Sequence, residues 1–82
     1  MNFYVYMLKS NNLKPITYVG YTNNLKKRIR LHNEGKGAKF TRGRKWSLIY
    51  KEKFKSKSKA ISREYYIKKN RTLRNNIKNN NK

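Results

Sequence analysis

Three stretches of the chain have the apolar pattern of β-strands. Residues 3–9 carry large apolar or aromatic side chains on both faces of an extended backbone, which predicts a central strand. Residues 16–21 predict a second strand, joined to the first by the turn-forming stretch 10–15. Residues 46–54 predict a third strand because one face is apolar, formed by Trp46, Leu48, Tyr50 and Phe54.

Helical patterns separate and follow these strands. A first helix is predicted from Leu25 to Glu34, after the capping residues of 22–24 and before a stop at Gly35. A second helix is predicted over about 57–74, capped by a preceding serine. The order β-β-α-β-α indicates an α+β fold, a three-stranded antiparallel sheet flanked by helices.

The segment 75–82 is almost entirely Asn and Lys, and this composition predicts a disordered tail after a single domain over 1–74. The chain has no Cys, which excludes disulfides, and one His, which excludes a multi-histidine zinc site. No apolar run approaches the roughly 20 residues of a membrane helix. We therefore expect a soluble protein of the cytoplasm, without a membrane partner.

The formal net charge of the 82 residues is +20, with 23 Lys and Arg against three acids. A charge of this size favours a polyanionic partner, and it opposes folding through self-repulsion, so solubility alone is a weak explanation for it. Nucleic acid is the expected partner, bound mainly through its phosphates. Carboxylate chemistry is restricted to Glu34, Glu52 and Glu64.

Three charged or titratable residues fall where a helix should be apolar. Arg28 and His32 lie one turn apart, beside the apolar stripe of the first helix, and Glu64 falls within the apolar arc of the second. Burying an unpaired charge is costly. The charges could pair internally, Arg28 with Glu64 or Glu64 with Lys68, or they could meet a phosphate and a divalent cation. Glu52, on the aromatic face of the third strand, is the rival carboxylate.

Two tyrosine triplets, Tyr4-Val5-Tyr6 and Tyr18-Val19-Gly20, precede the helix that carries Arg28 and His32. This arrangement resembles the GIY-YIG nuclease family, in particular its short stand-alone domain proteins. Tyr replaces the first Gly of the signature and Val replaces both Ile residues. The resemblance covers about residues 3–70 and implies the same α+β fold.

The resemblance also implies roles for individual residues. Tyr6 and Tyr18 would orient the attacking water, and one of them would act as general base, which requires nearby cations to favour its phenolate. Arg28 would stabilise charge on the scissile phosphate, and His32 would assist proton transfer or hold a phosphate. Glu64 would bind one divalent ion, Mg²⁺ or Mn²⁺.

The Gly-rich basic stretch 35–45 is expected to bind the backbone of the nucleic acid or to stack on an unpaired base. The residues expected to do so are Lys36, Lys39, Phe40, Arg42 and Arg44. We predict a metal-dependent endonuclease that hydrolyses phosphodiester bonds of DNA. Branched or damaged DNA is the candidate substrate and DNA repair the candidate role. In a bacterium we expect the protein to be associated with the nucleoid. The alternative is a non-catalytic nucleic-acid-binding protein on the same fold. The sequence leaves open whether a partner protein supplies selectivity, whether DNA or RNA is preferred, and what the oligomeric state is.

Overall fold

A computed structural model describes residues 2–80 of the chain. The predicted order of elements is confirmed, with one α-helix and one short 3-10 helix more than predicted. The elements are β1 (Phe3–Ser10), β2 (Thr17–Thr22), α1 (Leu25–Asn33), a short 3-10 helix (Lys39–Thr41), β3 (Trp46–Phe54), α2 (Lys57–Lys69) and α3 (Arg71–Asn80). No helix within residues 2–80 has the length and apolar character needed to cross a membrane.

The sheet is antiparallel with β1 in the centre, in the order β2-β1-β3. Both faces of β1 are buried, as its two-sided apolar pattern predicts: the four consecutive residues Val5, Tyr6, Met7 and Leu8 are each at most 1% exposed. The register pairs Tyr6 with Gly20 and Leu8 with Tyr18, which brings the two tyrosine triplets side by side.

The sheet separates two apolar clusters because successive strand residues point to opposite faces. On one face, Val5 and Met7 pack with Ala60 and Ile67 of α2. On the other face, Tyr6, Leu8 and Trp46 form a second cluster, against which Leu25 and Ile29 of α1 pack. The helices therefore cover both faces, and β2 and β3 are the edge strands of the sheet.

Both helices that flank the sheet begin at side-chain caps. The Asn24 side chain accepts a hydrogen bond from the backbone N–H of Lys27 at 3.2 Å, and Ser56 caps α2 in the same way through Lys59 at 3.4 Å. Helix α1 ends where Gly35 adopts φ 77°, a left-handed conformation that glycine enters without steric cost.

The structure differs from the prediction at the C-terminus. The predicted helix over 57–74 is broken at Asn70, whose side chain caps a new helix by accepting the Leu73 N–H at 2.9 Å. Residues 75–80 continue α3 instead of forming a disordered tail, because Leu73 and Ile77, one turn apart, pack against the sheet core. Residues 81 and 82 of the predicted tail lie outside the described residues, and the domain limit at 74 stays a prediction.

Candidate active site

A buried hydrogen-bonded chain joins β1, α1 and the 3-10 helix. The Tyr6 hydroxyl lies 2.8 Å from His32 Nε2, and His32 Nδ1 lies 2.8 Å from Thr41 Oγ1. Tyr6 is 1% exposed, and His32 and Thr41 are fully buried. Three polar side chains from distant parts of the sequence therefore share one interior site.

The donors and acceptors of this chain can be assigned from Thr41. Its hydroxyl donates to the Ala38 carbonyl at 2.9 Å and accepts the Ala38 N–H at 3.3 Å. A hydroxyl has one proton to donate. Thr41 must therefore accept from His32, which places the imidazole proton on Nδ1 and leaves Nε2 to accept the proton of the Tyr6 hydroxyl.

Two glycines allow this chain to form. A Cβ atom at Gly20 would lie 2.6 Å from the Tyr6 hydroxyl oxygen, and one at Gly37 would lie 2.4 Å from His32 Nδ1. Contacts this short require atoms to move. Gly20 is the last residue of the second tyrosine triplet, so its place in that triplet has a steric reason.

Tyr18 lies beside this chain on the edge strand. Its ring centroid is 5.0 Å from that of His32 and 6.4 Å from that of Tyr6. It is half-buried, in contrast to Tyr6. The two signature tyrosines and the histidine are thus brought together, and Tyr18 is the tyrosine that solvent reaches more readily.

Arg28 also belongs to this group. Its guanidinium is close enough to the Tyr6 hydroxyl to lower the pKa of that phenol, opposing the effect of burial. Within residues 2–80, Arg28 Nε is the one buried side-chain nitrogen or oxygen atom without a hydrogen-bond partner. The ion pairs of the same residues are Arg30–Glu34, Arg63–Glu52 and Lys68–Glu64. The internal pair of Arg28 with Glu64, left open by the sequence, is not formed.

Glu64 approaches the group from α2. Its negative charge makes a small contribution to raising the pKa of the Tyr6 phenol, behind burial and the charge of Tyr18. Its side chain is 17% exposed and pairs with Lys68 Nζ at 3.5 Å. Lys68 Nζ also lies 5.8 Å from the centre of the Tyr18 ring. The pair with Lys68, the other internal alternative, is therefore present, at a distance that leaves the carboxylate loosely held.

Burial sets the protonation states of the two central residues. It raises the pKa of the Tyr6 phenol to about 12, because its effect exceeds the opposing effect of Arg28. Burial, together with the positive charge of Arg28, lowers the pKa of the His32 imidazole below 6.5. Both groups are neutral at pH 7. Arg28 favours the Tyr6 phenolate, as expected of a nearby cation, but burial outweighs its effect.

The rival carboxylate Glu52 has a structural role. Arg63 Nε and Nη2 each donate to one of its oxygens at 2.9 Å, and the Tyr50 hydroxyl donates to it as well. Burial opposes ionisation of this carboxyl, but Arg63 and Tyr50 together hold its pKa below the usual value. A carboxylate engaged in this way is a poor candidate for binding an added metal ion.

The predicted nucleic-acid-binding residues are all exposed, and one of them, Phe40, contacts the site. The four cations, Lys36, Lys39, Arg42 and Arg44, are exposed. Phe40 is 54% exposed, and its ring stacks on Tyr18 with centroids 6.0 Å apart and planes at 24°. The loop is anchored at its buried end, where Trp46 Nε1 donates to the Thr41 carbonyl at 2.9 Å.

Sequence reasoning missed Thr41 as part of the site. Lys68 was predicted only as a possible partner of Glu64, which it follows at the i,i+4 spacing that brings side chains together on a helix. Thr41 lies between Phe40 and Arg42 in a basic loop, where a small polar residue is expected to be exposed. Its contact with His32 follows from the path of the loop, which no local pattern encodes.

Comparison with known proteins gives one consistent result. A model of the GIY-YIG catalytic domain matches residues 2–79. The chain is 57% identical over 67 residues to the UPF0213 protein CPE1444 of Clostridium perfringens, covering 80% of this chain and 70% of that protein. It is 48% identical over 68 residues to the UPF0213 protein YazA of Bacillus subtilis, covering 82% of this chain and 65% of that protein. The solution NMR structure of the UPF0213 protein BH0048 from Bacillus halodurans matches with a TM-score of 0.55 and 39% identity, over 94% of this chain and 82% of that one.

Proposed function

The chain belongs to the GIY-YIG family, and on that premise we propose that it is a metal-dependent endonuclease that hydrolyses phosphodiester bonds of DNA. The observation that carries the proposal is the unpartnered, buried Nε of Arg28 beside the Tyr6–His32 pair. A buried donor without a partner costs about 1–3 kcal/mol. A bound phosphate would satisfy it, and Arg28 would then stabilise the charge that develops on the phosphorus centre.

Tyr6 and His32 act together as the general base in this proposal. As a water molecule attacks phosphorus, its proton passes to the Tyr6 oxygen while the Tyr6 proton passes to His32 Nε2. A new P–O bond forms, the bond to the leaving sugar oxygen breaks, and that oxygen takes a proton from solvent. No free phenolate is needed, so the high pKa of Tyr6 is no obstacle. Tyr18, half-buried and next to both residues, orients the water.

Glu64 would hold a single Mg²⁺ or Mn²⁺ ion, which when bound supplies Lewis-acid stabilisation of a phosphate oxygen. The residues fit this role. Residues 2–80 contain no cluster of three or more His, Cys, Asp and Glu side chains that could hold a metal by themselves. One carboxylate completed by water and substrate phosphate is a common magnesium site. The 3.5 Å pair with Lys68 leaves Glu64 available for such a ligand.

DNA is proposed as the substrate because of the +20 net charge and the exposed cations of the 35–45 loop. We also propose branched or damaged DNA as the substrate and DNA repair as the role. A partner protein would supply selectivity, because so small a domain has little surface for reading sequence. The activity would take place in the cytoplasm, at the nucleoid in a bacterium, where DNA is found.

The test is cleavage of supercoiled, branched and single-stranded DNA with Mg²⁺ or Mn²⁺ and with EDTA. Glu64→Gln removes the charge of the proposed metal ligand and should abolish cleavage while DNA binding persists. Glu34→Gln is the matched control, because Glu34 is an exposed helix-terminal acid paired only with Arg30 at 4.0 Å. Binding without metal-dependent cleavage of any substrate would favour the alternative, a non-catalytic nucleic-acid-binding protein.

A further inference from the structure

We propose that the groove between Phe40 and helix α3 binds an unpaired strand of the nucleic acid next to the scissile phosphate. The proposal rests on the proposed function and gives the substrate a structural class. The groove has a volume of about 420 Å³. One wall includes Ile16, Tyr18 and Phe40, and the facing wall includes Lys68, Arg74 and Lys78.

Phe40 provides a stacking surface in this groove. Its ring is 54% exposed, yet its position is fixed by stacking on Tyr18 and by contact with Trp46 at 6.4 Å between centroids. The next residue, Thr41, is fully buried. A large aromatic ring held rigidly in solvent can accept the face of a nucleobase with little loss of conformational entropy, and base–aromatic stacking tolerates any base.

The facing wall is cationic. Lys78 is half-buried and belongs to none of the ion pairs of residues 2–80. Arg74 donates through Nη1 to the Ile67 and Lys68 carbonyls, which fixes the guanidinium at the turn between α2 and α3. The groove lining contains no acid. A concave surface of one charge sign concentrates phosphates near it.

The combination of a ring on one wall and cations on the other favours an unpaired strand over a duplex. Bases in a duplex are stacked on each other and cannot present a face to Phe40, whereas an unpaired base can. Tyr18 belongs both to the groove and to the candidate active site. A base stacked on Phe40 would therefore lie beside Tyr18, at the edge of the candidate active site.

The proposal is tested by oligonucleotide binding in EDTA, so that cleavage has no influence on the result. Fluorescence anisotropy compares a single-stranded DNA, the same sequence as a duplex, and the same sequence as single-stranded RNA. Phe40→Ala should weaken single-strand binding about 5- to 150-fold, the contribution of one stacked base, with little change for the duplex. Phe40→Trp should restore binding. The matched control is Tyr65→Ala, since Tyr65 is 61% exposed on α2 and is absent from the groove lining.

Lys78→Ala supplies an independent arm that leaves the aromatic cluster intact. It should lower single-strand affinity and the salt dependence of binding more than Lys53→Ala, an exposed cation of β3. Equal losses for single strand and duplex in Phe40→Ala, or equal effects of Lys78→Ala and Lys53→Ala, would overturn the groove. If the groove holds but no substrate is cut, only the proposed nuclease activity fails. Equal affinities for single-stranded DNA and RNA would show that the groove binds unpaired strands of both kinds.

Discussion

The hydroxyl of Thr41 should decide which imidazole nitrogen of His32 carries the proton. Thr41→Val keeps the approximate shape of a fully buried side chain and removes its one polar atom. The change removes the acceptor of the His32 Nδ1–H, which lies at 2.8 Å in the wild type. The Ala38 carbonyl loses the Thr41 hydroxyl at 2.9 Å but keeps the Thr41 backbone N–H at 3.1 Å. The imidazole can avoid part of this cost by moving its proton to Nε2, but it then loses the ability to accept the proton of Tyr6.

The magnitudes of the two effects differ, which allows them to be separated. Leaving a buried polar group unsatisfied costs about 1–3 kcal/mol of folding free energy. In a domain of this size each kcal/mol lowers the Tm by about 4–8 °C. General-base catalysis is worth about 10²–10⁴ in rate. Below the Tm of the variant, the cleavage rate should therefore fall by about 10² or more while most molecules stay folded.

His32 is the only histidine of the chain, so its tautomer can be read without overlap in a ¹⁵N NMR spectrum. The wild type and Thr41→Ser should show the proton on Nδ1 and retain single-turnover cleavage. Thr41→Val should show the proton on Nε2 and lose cleavage with unchanged DNA affinity. Wild-type cleavage by Thr41→Val, alongside an inactive His32→Ala, would refute the assignment of the proton path through Thr41.

Three further results are expected. Burial keeps the pKa of His32 below 6.5 in the folded protein, so acidification should protonate the unfolded state first. The free energy of unfolding, measured in urea, and the cleavage rate should therefore both fall as the pH drops. Values that stay constant with pH would contradict this. Gly20→Ala places a Cβ 2.6 Å from the Tyr6 hydroxyl, so calorimetry should show a loss of about 1–3 kcal/mol and assays a loss of cleavage. Glu52→Gln should lower the free energy of unfolding by about 1 kcal/mol, because it weakens the partly exposed ion pair of Glu52 with Arg63. If the folded variant could not cleave DNA, this would contradict a purely structural role for Glu52.

The sheet was predictable because its signal is local. The run from Val5 to Leu8 is apolar on both faces, and a strand of this kind needs neighbours and cover on each side. The position of α3 was not predicted, because the apolar stripe of Leu73 and Ile77 lies in an Asn- and Lys-rich segment whose composition is typical of disorder.

The sequence indicated most residues of the candidate site, with the exception of Thr41, but not their protonation states. Helix periodicity identified Arg28 and Glu64 as charges on apolar faces, and the tyrosine triplets identified Tyr6. The neutral state of Tyr6 depends on how deeply the whole fold buries its hydroxyl. The tautomer of His32 depends on a contact made by a loop nine residues further along the chain. Both are properties of the assembled structure.

The most direct test of the proposed catalysis compares Arg28→Ala with Arg30→Ala in single-turnover DNA cleavage, with DNA affinity measured in parallel. Arg30 lies on the same helix and is exposed, whereas Arg28 has the buried, unpartnered nitrogen. Arg28→Ala should reduce the cleavage rate by about 10²–10³ at nearly unchanged affinity, and Arg30→Ala should leave it close to wild type. Equal cleavage by the two variants would contradict the assignment of the phosphate to Arg28.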